Sequence, residues 1–326
     1  MLAPPTILEV EDLRTHLPSQ RGLVRAVDGV SFAVRRGEIV GIVGESGCGK
    51  STLCASLVRL LPRGAQVSGR IAFRGEDLLE KTPEEMRALR GRDITMIQQN
   101  PMTALDPVFT IGSQICEVLR FNSRLAPRER LARAVEMLRQ VHIPSPEERL
   151  HNYPHQMSGG MKQRVLTAMA TGLKPALLIA DEPTTALDVT IQEQILGLLA
   201  EIRDRLGTAI ILVTHDLGVV RRLCDRVLIM YAGRVVESGA AAAIFGAPQH
   251  PYTQALLASI PRMGDERRRL QAIEGTIPDL SRLPPGCSFA PRCPHAMPRC
   301  RADYPDAFPT ETGTARCWLH ARETAP

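Results

Sequence analysis

The stretch "GESGCGKS", Gly44 to Ser51, fits the pattern G-x-x-x-x-G-K-[ST]. An apolar run, "EIVGIVG", precedes it and "KSTLCASLVRLL", of helical pattern, follows. Glycines let such a loop curl until successive backbone N–H groups point inward as an anion nest, and the following helix adds the positive end of its dipole. Gly44, Glu45, Ser46, Gly47, Cys48, Gly49, Lys50, Ser51 and Thr52 are therefore candidates for binding ATP. Lys50 is expected to reach the β- and γ-phosphates, and the Ser51 hydroxyl to serve Mg²⁺.

"LLIADEP" reads as a buried strand ending in two carboxylates. Asp181 suits Mg²⁺, through water, and Glu182 suits orienting or deprotonating an attacking water. "MSGGMKQR" places Ser158, Gly159 and Gly160 at the start of a predicted helix, where a hydroxyl, bare amides and a positive helix end make a second phosphate site. Alone, that stretch reads first as an N-capped helix with flexible glycines. Beside a phosphate loop and a strand-end glutamate it points to a composite site.

The chain carries eight cysteines. Cys48, Cys54, Cys116 and Cys224 are scattered, as buried small hydrophobes are. Cys287, Cys293, Cys300 and Cys317 instead gather near the end, in neither C-x-x-C nor zinc-finger spacing. Four thiolates suit a [4Fe–4S] cluster or a tetrahedral zinc, with His295 and His320 as spare ligands. Unligated thiols are the third reading. A metal staple would stabilise a segment this poor in apolar runs. Arg292, Arg299 and Arg301, which could also stabilise thiolates, read as a solvated charged face.

The elements that must position these residues follow an α/β alternation. "SFAV", "EIVGIVG", "ALLIADEP", "AIILVTHD" and "RVLIMYAGRVVESG" read as strands. Residues 98–170 lack strong strand signals and carry helical periodicity, so a helical insert is expected there. Composition changes near residue 246, beyond which Pro and Arg are frequent and a small loop-rich appendage is expected. The net charge of +5 over 326 residues is mild and reads as solvated surface. No run approaches the roughly 18–20 apolar residues of a membrane span, and the N-terminus lacks a signal-peptide pattern. Any membrane role is therefore expected to be indirect.

Taken together, residues 7–245 resemble the nucleotide-binding subunit of ABC transporters. The resemblance implies a P-loop ABC ATPase domain over 1–245, with a helical subdomain at about 98–170. It also implies that Ser158, Gly159 and Gly160 complete the phosphate site of a second subunit, with Met157 and Met161 where Leu and Gln are commonest. "TTALD" resembles the D-loop, placing Asp188 at a dimer interface, and His215 in "LVTHD" resembles the histidine that contacts the γ-phosphate. In "MIQQNPMTALDP" the glutamine sensing Mg²⁺ and water is Gln98 or Gln99, and spacing to Pro101 favours Gln99. The usual adenine-stacking aromatic falls on Leu17, beside His16, leaving the adenine contact open.

"HPYTQALLASIP" followed by the four cysteines resembles the C-terminal extension of dipeptide and oligopeptide importers, over residues 246–326. Nickel importers share this branch, and relatives carry a [4Fe–4S] cluster there. The resemblance implies an ATPase energising uptake of di- or oligopeptides, or of nickel or another small solute, at the cytoplasmic face of the inner membrane. Two membrane-spanning permease subunits, a second ATP-binding subunit (a heterodimer over a homodimer) and an extracytoplasmic binding protein are the implied partners. A soluble ABC ATPase acting on nucleic acid and an iron–sulfur redox sensor are the competing readings. The chain lacks the long coiled-coil insertion or second cassette of the former, so no nucleic acid is expected as partner.

Overall fold

The structure, a computed structural model, describes residues 4–20, 22–98, 104–185, 187–259 and 273–321. Its strands are, in chain order, β1 (Thr6–Ser19), β2 (Gly22–Arg35), β3 (Ile39–Val43), β4 (Gln66–Phe73), β5 (Glu76–Asp77) and β6 (Ile94–Ile97). Then follow β7 (Leu177–Asp181), β8 (Ala209–Val213), β9 (Arg226–Tyr231), β10 (Arg234–Ala240), β11 (Phe308–Thr310) and β12 (Gly313–Ala315). The chain divides into two compact units. One comprises residues 1–7, 34–39 and 80–213, and the other residues 8–33, 40–79 and 214–326.

In the first unit β6, β7 and β8 run parallel, with Ile94 opposite Leu177 and Asp181 opposite Val213. Every residue of β7 and β8 is buried. Strands covered on both faces need continuous apolar runs, which is how "LLIAD" and "AIILV" read. Between β6 and β7 the described residues include the helices Ile111–Asn122, Pro127–Gln140 and Gly159–Thr171. Pro127–Gln140 shows why such a sequence folds so. Pro127 opens it, the Glu129 carboxylate accepts from the Ala126 N–H at 2.6 Å, and Ala134, Met137, Leu138 and Val141 form one buried stripe at helical spacing. These residues share a core with Ile111, Ile115, Leu119 and Val165.

The second unit holds an antiparallel sheet in the order β2-β1-β4-β5. It also holds β3, parallel to β9 from Val40 opposite Arg226 to Val43 opposite Ile229. "RVLIMYAGRVVESG" folds as the hairpin β9–β10, whose turn residues Ala232 and Gly233 have φ of 47° and 81°. Positive φ at both central positions is the twist-matched two-residue turn. Past residue 246 come the helix Pro251–Ala258, a short helix Pro298–Ala302, and two strands. β12 pairs antiparallel with β10, Glu237 opposite Ala315, and β11 pairs with β12.

Candidate functional site

Gly44 to Ser51 forms the turn between the fully buried β3 and the helix Lys50–Leu57. Two neighbours leave no room for a side chain at Gly44 or Gly49. A Cβ on Gly44 would lie 2.2 Å from the Met230 carbonyl oxygen, and one on Gly49 would lie 2.0 Å from that of Ala26. Gly49 also has φ of 105°, a conformation that L residues rarely adopt. The β9–β10 hairpin fastens the loop from below, with the Gly233 N–H donating to the Cys48 carbonyl at 2.9 Å. Lys50 is buried, and its ammonium folds over the loop, donating to the carbonyls of Gly44 at 2.7 Å and Glu45 at 3.0 Å. Ser46, Gly47 and Ser51 are exposed. The residues present fit a polyphosphate: a glycine-shaped cradle, a cation on its rim and a helix start beneath it.

Leu17 and His16 lie on β1, and the His16 Nε2 stands 3.9 Å from an Asp28 carboxylate oxygen. His215 is exposed in the turn after β8, next to Asp216, which caps the helix Leu217–Leu223 by accepting from the Gly218 and Val219 N–H groups.

In the first unit, Asp181 ends β7, buried, and Glu182 follows it with φ of 48°. The Glu182 N–H donates to the Val213 carbonyl at 2.9 Å, and the Thr185 hydroxyl donates to its carboxylate at 2.8 Å. A non-glycine residue in the left-handed region costs roughly 1–3 kcal/mol and concentrates where geometry serves function. Ser158 caps the helix Gly159–Thr171, accepting from the Met161 N–H at 3.3 Å. Ser158 and Gly159 are exposed, whereas Gly160 is packed so that a Cβ would lie 2.6 Å from Ile191 Cγ2. Met157 is buried in the helical core and Met161 packs against it, which accounts for apolar residues at both places. Asp188 caps the helix Val189–Leu206, accepting from the Ile191 N–H at 3.0 Å. Gln99 lies outside the described residues; Gln98 is exposed.

Cys287, Cys293, Cys300 and Cys317 line one small cavity together with Phe289 and His295. None of the four is in a disulfide. The Cys287 N–H donates to the Cys300 carbonyl at 2.7 Å, tying two of them by their backbone. Burial pushes the thiols of Cys287 and Cys293 up and that of Cys317 to about 11. Among the described residues no group of three or more His, Cys, Asp or Glu side chains is drawn together as metal ligands. Of the scattered cysteines, Cys48, Cys54 and Cys224 are buried, and burial pushes the Cys224 thiol up to about 12, as an inert small hydrophobe requires.

One expectation is corrected. Arg299 and Arg301 are exposed, Arg299 lying over the Trp318 ring at 3.6 Å. Arg292, read as part of the same solvated face, has a side chain only 5% exposed and grips Glu45 of the phosphate loop. Hydrogen bonding to Glu45 raises its already high pKa, so it is a permanent cation. Tyr252 was missed as well: its hydroxyl accepts from the Glu45 N–H at 3.0 Å. The signal was a carboxylate inside a loop that binds anions, which calls for a cation elsewhere in the chain.

A curled glycine loop between a buried parallel strand and a helix, with its lysine folded inward, defines a P-loop nucleotide-binding protein. Residues 27–185 match the family described as ABC transporter, and residues 236–300 match the oligopeptide/dipeptide transporter C-terminal region. The dipeptide transport ATP-binding protein DppD of Bacillus subtilis is 49% identical over 96% of this chain and 94% of its own length. The oligopeptide transport ATP-binding protein OppD of Salmonella typhimurium is 48% identical over 90% of this chain and 88% of its own. Among solved structures, the dimeric ATP-binding cassette MJ0796, bound to ADP and Pi, superposes with a TM-score of 0.65 at 26% identity, over 72% of this chain and 99% of that one. The chain belongs to the ATP-binding proteins of ABC transporters, in the group that carries the oligopeptide/dipeptide transporter C-terminal region. It is an ATPase coupled to transport, and no helix among its described residues is long and apolar enough to cross a membrane.

Proposed function

We propose that this ATPase energises uptake of di- or oligopeptides from the inner face of the plasma membrane, bound to two permease subunits and served by an extracytoplasmic binding protein. The observation that carries the substrate class is the C-terminal match over residues 236–300, joined to relatives whose names specify dipeptide or oligopeptide transport. A second, similar ATP-binding subunit completes the motor as a heterodimer. The 1–245 cassette does the nucleotide work, and the 246–326 extension marks the branch.

The roles follow from the residue types. Gly44 to Thr52 cradle the phosphates, and Lys50 leaves the loop carbonyls for the β- and γ-oxygens. Ser51, Gln99 and Asp181 would hold Mg²⁺, which would neutralise phosphate charge. Glu182 accepts the proton of the attacking water as its oxygen bonds to the γ-phosphorus and the bond to the β–γ bridging oxygen breaks. His215 steadies the γ-phosphate. The exposed Ser158 and Gly159, with Gly160, present a helix start to the partner's nucleotide, and Asp188 lies at that interface. ATP then favours the closed dimer because only that state offers it both loops.

Reconstitution with the permeases in vesicles tests the reading. ATP turnover should rise when peptide-loaded binding protein is supplied outside; stimulation by nickel-loaded protein instead would move the substrate class.

The four cysteines belong to this reading as the ligands of a [4Fe–4S] cluster, with zinc as the alternative. Four cysteines on the wall of one cavity, which His250 and His295 also line, support it. Chain purified without oxygen should contain about four iron and four acid-labile sulfide, both lost in Cys293→Ser. Zinc in their place would support the alternative, and no metal at all would leave a thiol-lined cavity.

A further inference from the structure

Glu45 is the second residue of the phosphate loop, so a carboxylate stands in the turn that must receive a polyanion. Both its backbone and its side chain are held by residues from beyond the β9–β10 hairpin. Its N–H donates to the Tyr252 hydroxyl, and its carboxylate takes a two-pronged grip from Arg292, with Nη1 at 2.7 Å from one oxygen and Nη2 at 3.0 Å from the other. The Arg292 guanidinium has no donor to spare. Nη1 also donates to the Tyr231 hydroxyl at 3.2 Å, Nη2 to the Ile273 carbonyl at 3.1 Å and Nε to the Glu274 carbonyl at 2.8 Å. All five N–H groups of the fork are thus placed. The rings of Tyr231, Tyr252 and Phe289 pack on one another with centroids 4.7 to 5.4 Å apart, and those of Tyr231 and Phe289 lie 5.8 and 5.9 Å from the guanidinium carbon.

We propose that Arg292 is a positioning residue for ATP binding: it neutralises and immobilises the Glu45 carboxylate, so that the C-terminal region sets the phosphate loop's affinity for nucleotide. A carboxylate released from its fork lies in the same short loop as the phosphate-binding amides, where its charge opposes that of the phosphates. Held in a bidentate pair, the same carboxylate presents no net charge and fixes the first bend of the loop. Arg292 is adjacent in sequence to Cys293, and Phe289 lines the cysteine cavity, so one short segment serves both places.

A bolt that only fastens one part of the fold to another would predict lost stability and nothing specific to nucleotide. Steady-state ATPase measurements on the full chain separate the two. Arg292→Met should raise the KM for MgATP about tenfold while kcat falls less than about twofold, the mark of lost binding rather than lost chemistry. Adding Glu45→Gln to Arg292→Met should return KM to within about threefold of the parent, because the uncompensated charge is then gone. An unchanged KM in Arg292→Met, or a raised KM that Glu45→Gln does not relieve, overturns the proposal. Should Arg292→Met fail to fold, Arg292→Lys decides. It keeps the charge but not the fork, and in chain that remains folded at the assay temperature should raise KM by about threefold; an unchanged KM would again overturn it. Absence of ATP turnover in the parent chain would strike at the assigned activity, and titration with MgADP would then read the same series.

Discussion

Glu182 sits at φ of 48° directly after a fully buried strand, and its carboxylate is oriented by the Thr185 hydroxyl. Backbone strain of this kind, roughly 1–3 kcal/mol, persists only where the surroundings over-determine it. Here the Val213 carbonyl holds the Glu182 N–H from the neighbouring strand. The side chain is therefore delivered to a fixed place rather than left to search for one. Glu182→Gln keeps the shape and the Thr185 contact but removes the proposed proton acceptor. Turnover should fall at least about a hundredfold, the scale of general-base contributions, while MgATP still binds; single-turnover hydrolysis beside equilibrium binding checks both. Retained turnover would remove Glu182 from the role of base. At this scale the sequence was informative wherever a residue type is chemically constrained. Gly44 and Gly49 are legible because no side chain fits against the Met230 and Ala26 carbonyls. Arg292 was not legible, because nothing local distinguishes an arginine that pairs with a residue 247 positions away from one that faces water.

Among elements, β1, β2 and β10 are pinned at one point by Asp28, whose side chain is buried. Its carboxylate accepts from Arg14 of β1 at 2.7 Å and from Arg234 of β10 at 2.7 Å. Burial alone would raise its pKa, but hydrogen bonding and charge from Arg234, helped by Arg14, carry it below the ordinary value. A carboxylate lowered on folding stabilises the fold fully above its unfolded pKa of about 3.9, and that contribution is lost as pH falls through the folded value. Asp28→Asn should therefore lower the urea midpoint clearly at pH 7 and progressively less below about pH 4. An equal loss at pH 3 and pH 7 would mean that packing, not charge, is what Asp28 supplies. The strands themselves were readable, since Ile39–Val43, Leu177–Asp181 and Ala209–Val213 are fully buried and carry one charged residue among them, the terminal Asp181. The helix Pro127–Gln140 was readable from the spacing of Ala134, Met137, Leu138 and Val141. The strands β11 and β12 were not, because three residues give no period and their pairing with β10 is set by tertiary context.

For the molecule as a whole, the composition shift near residue 246 is real in the sequence, yet chain beyond it continues the sheet of its own unit. Glu237 on β10 is 1% exposed, and its carboxylate accepts from the Gln249 and His250 N–H groups at 2.7 and 2.9 Å. β12 then covers the side of β10 from Glu237 to Gly239. Without the later chain that row of N–H and C=O groups would be bare, a template on which another molecule could add its own strand. With it, the outermost strand on that side of β10 is β11, three residues long with Pro309 in the middle, too short and too poor in donors to recruit a neighbour. The tail that names the branch thus also guards the sheet against self-association, a duty owed to solubility in a crowded cell rather than to the nucleotide.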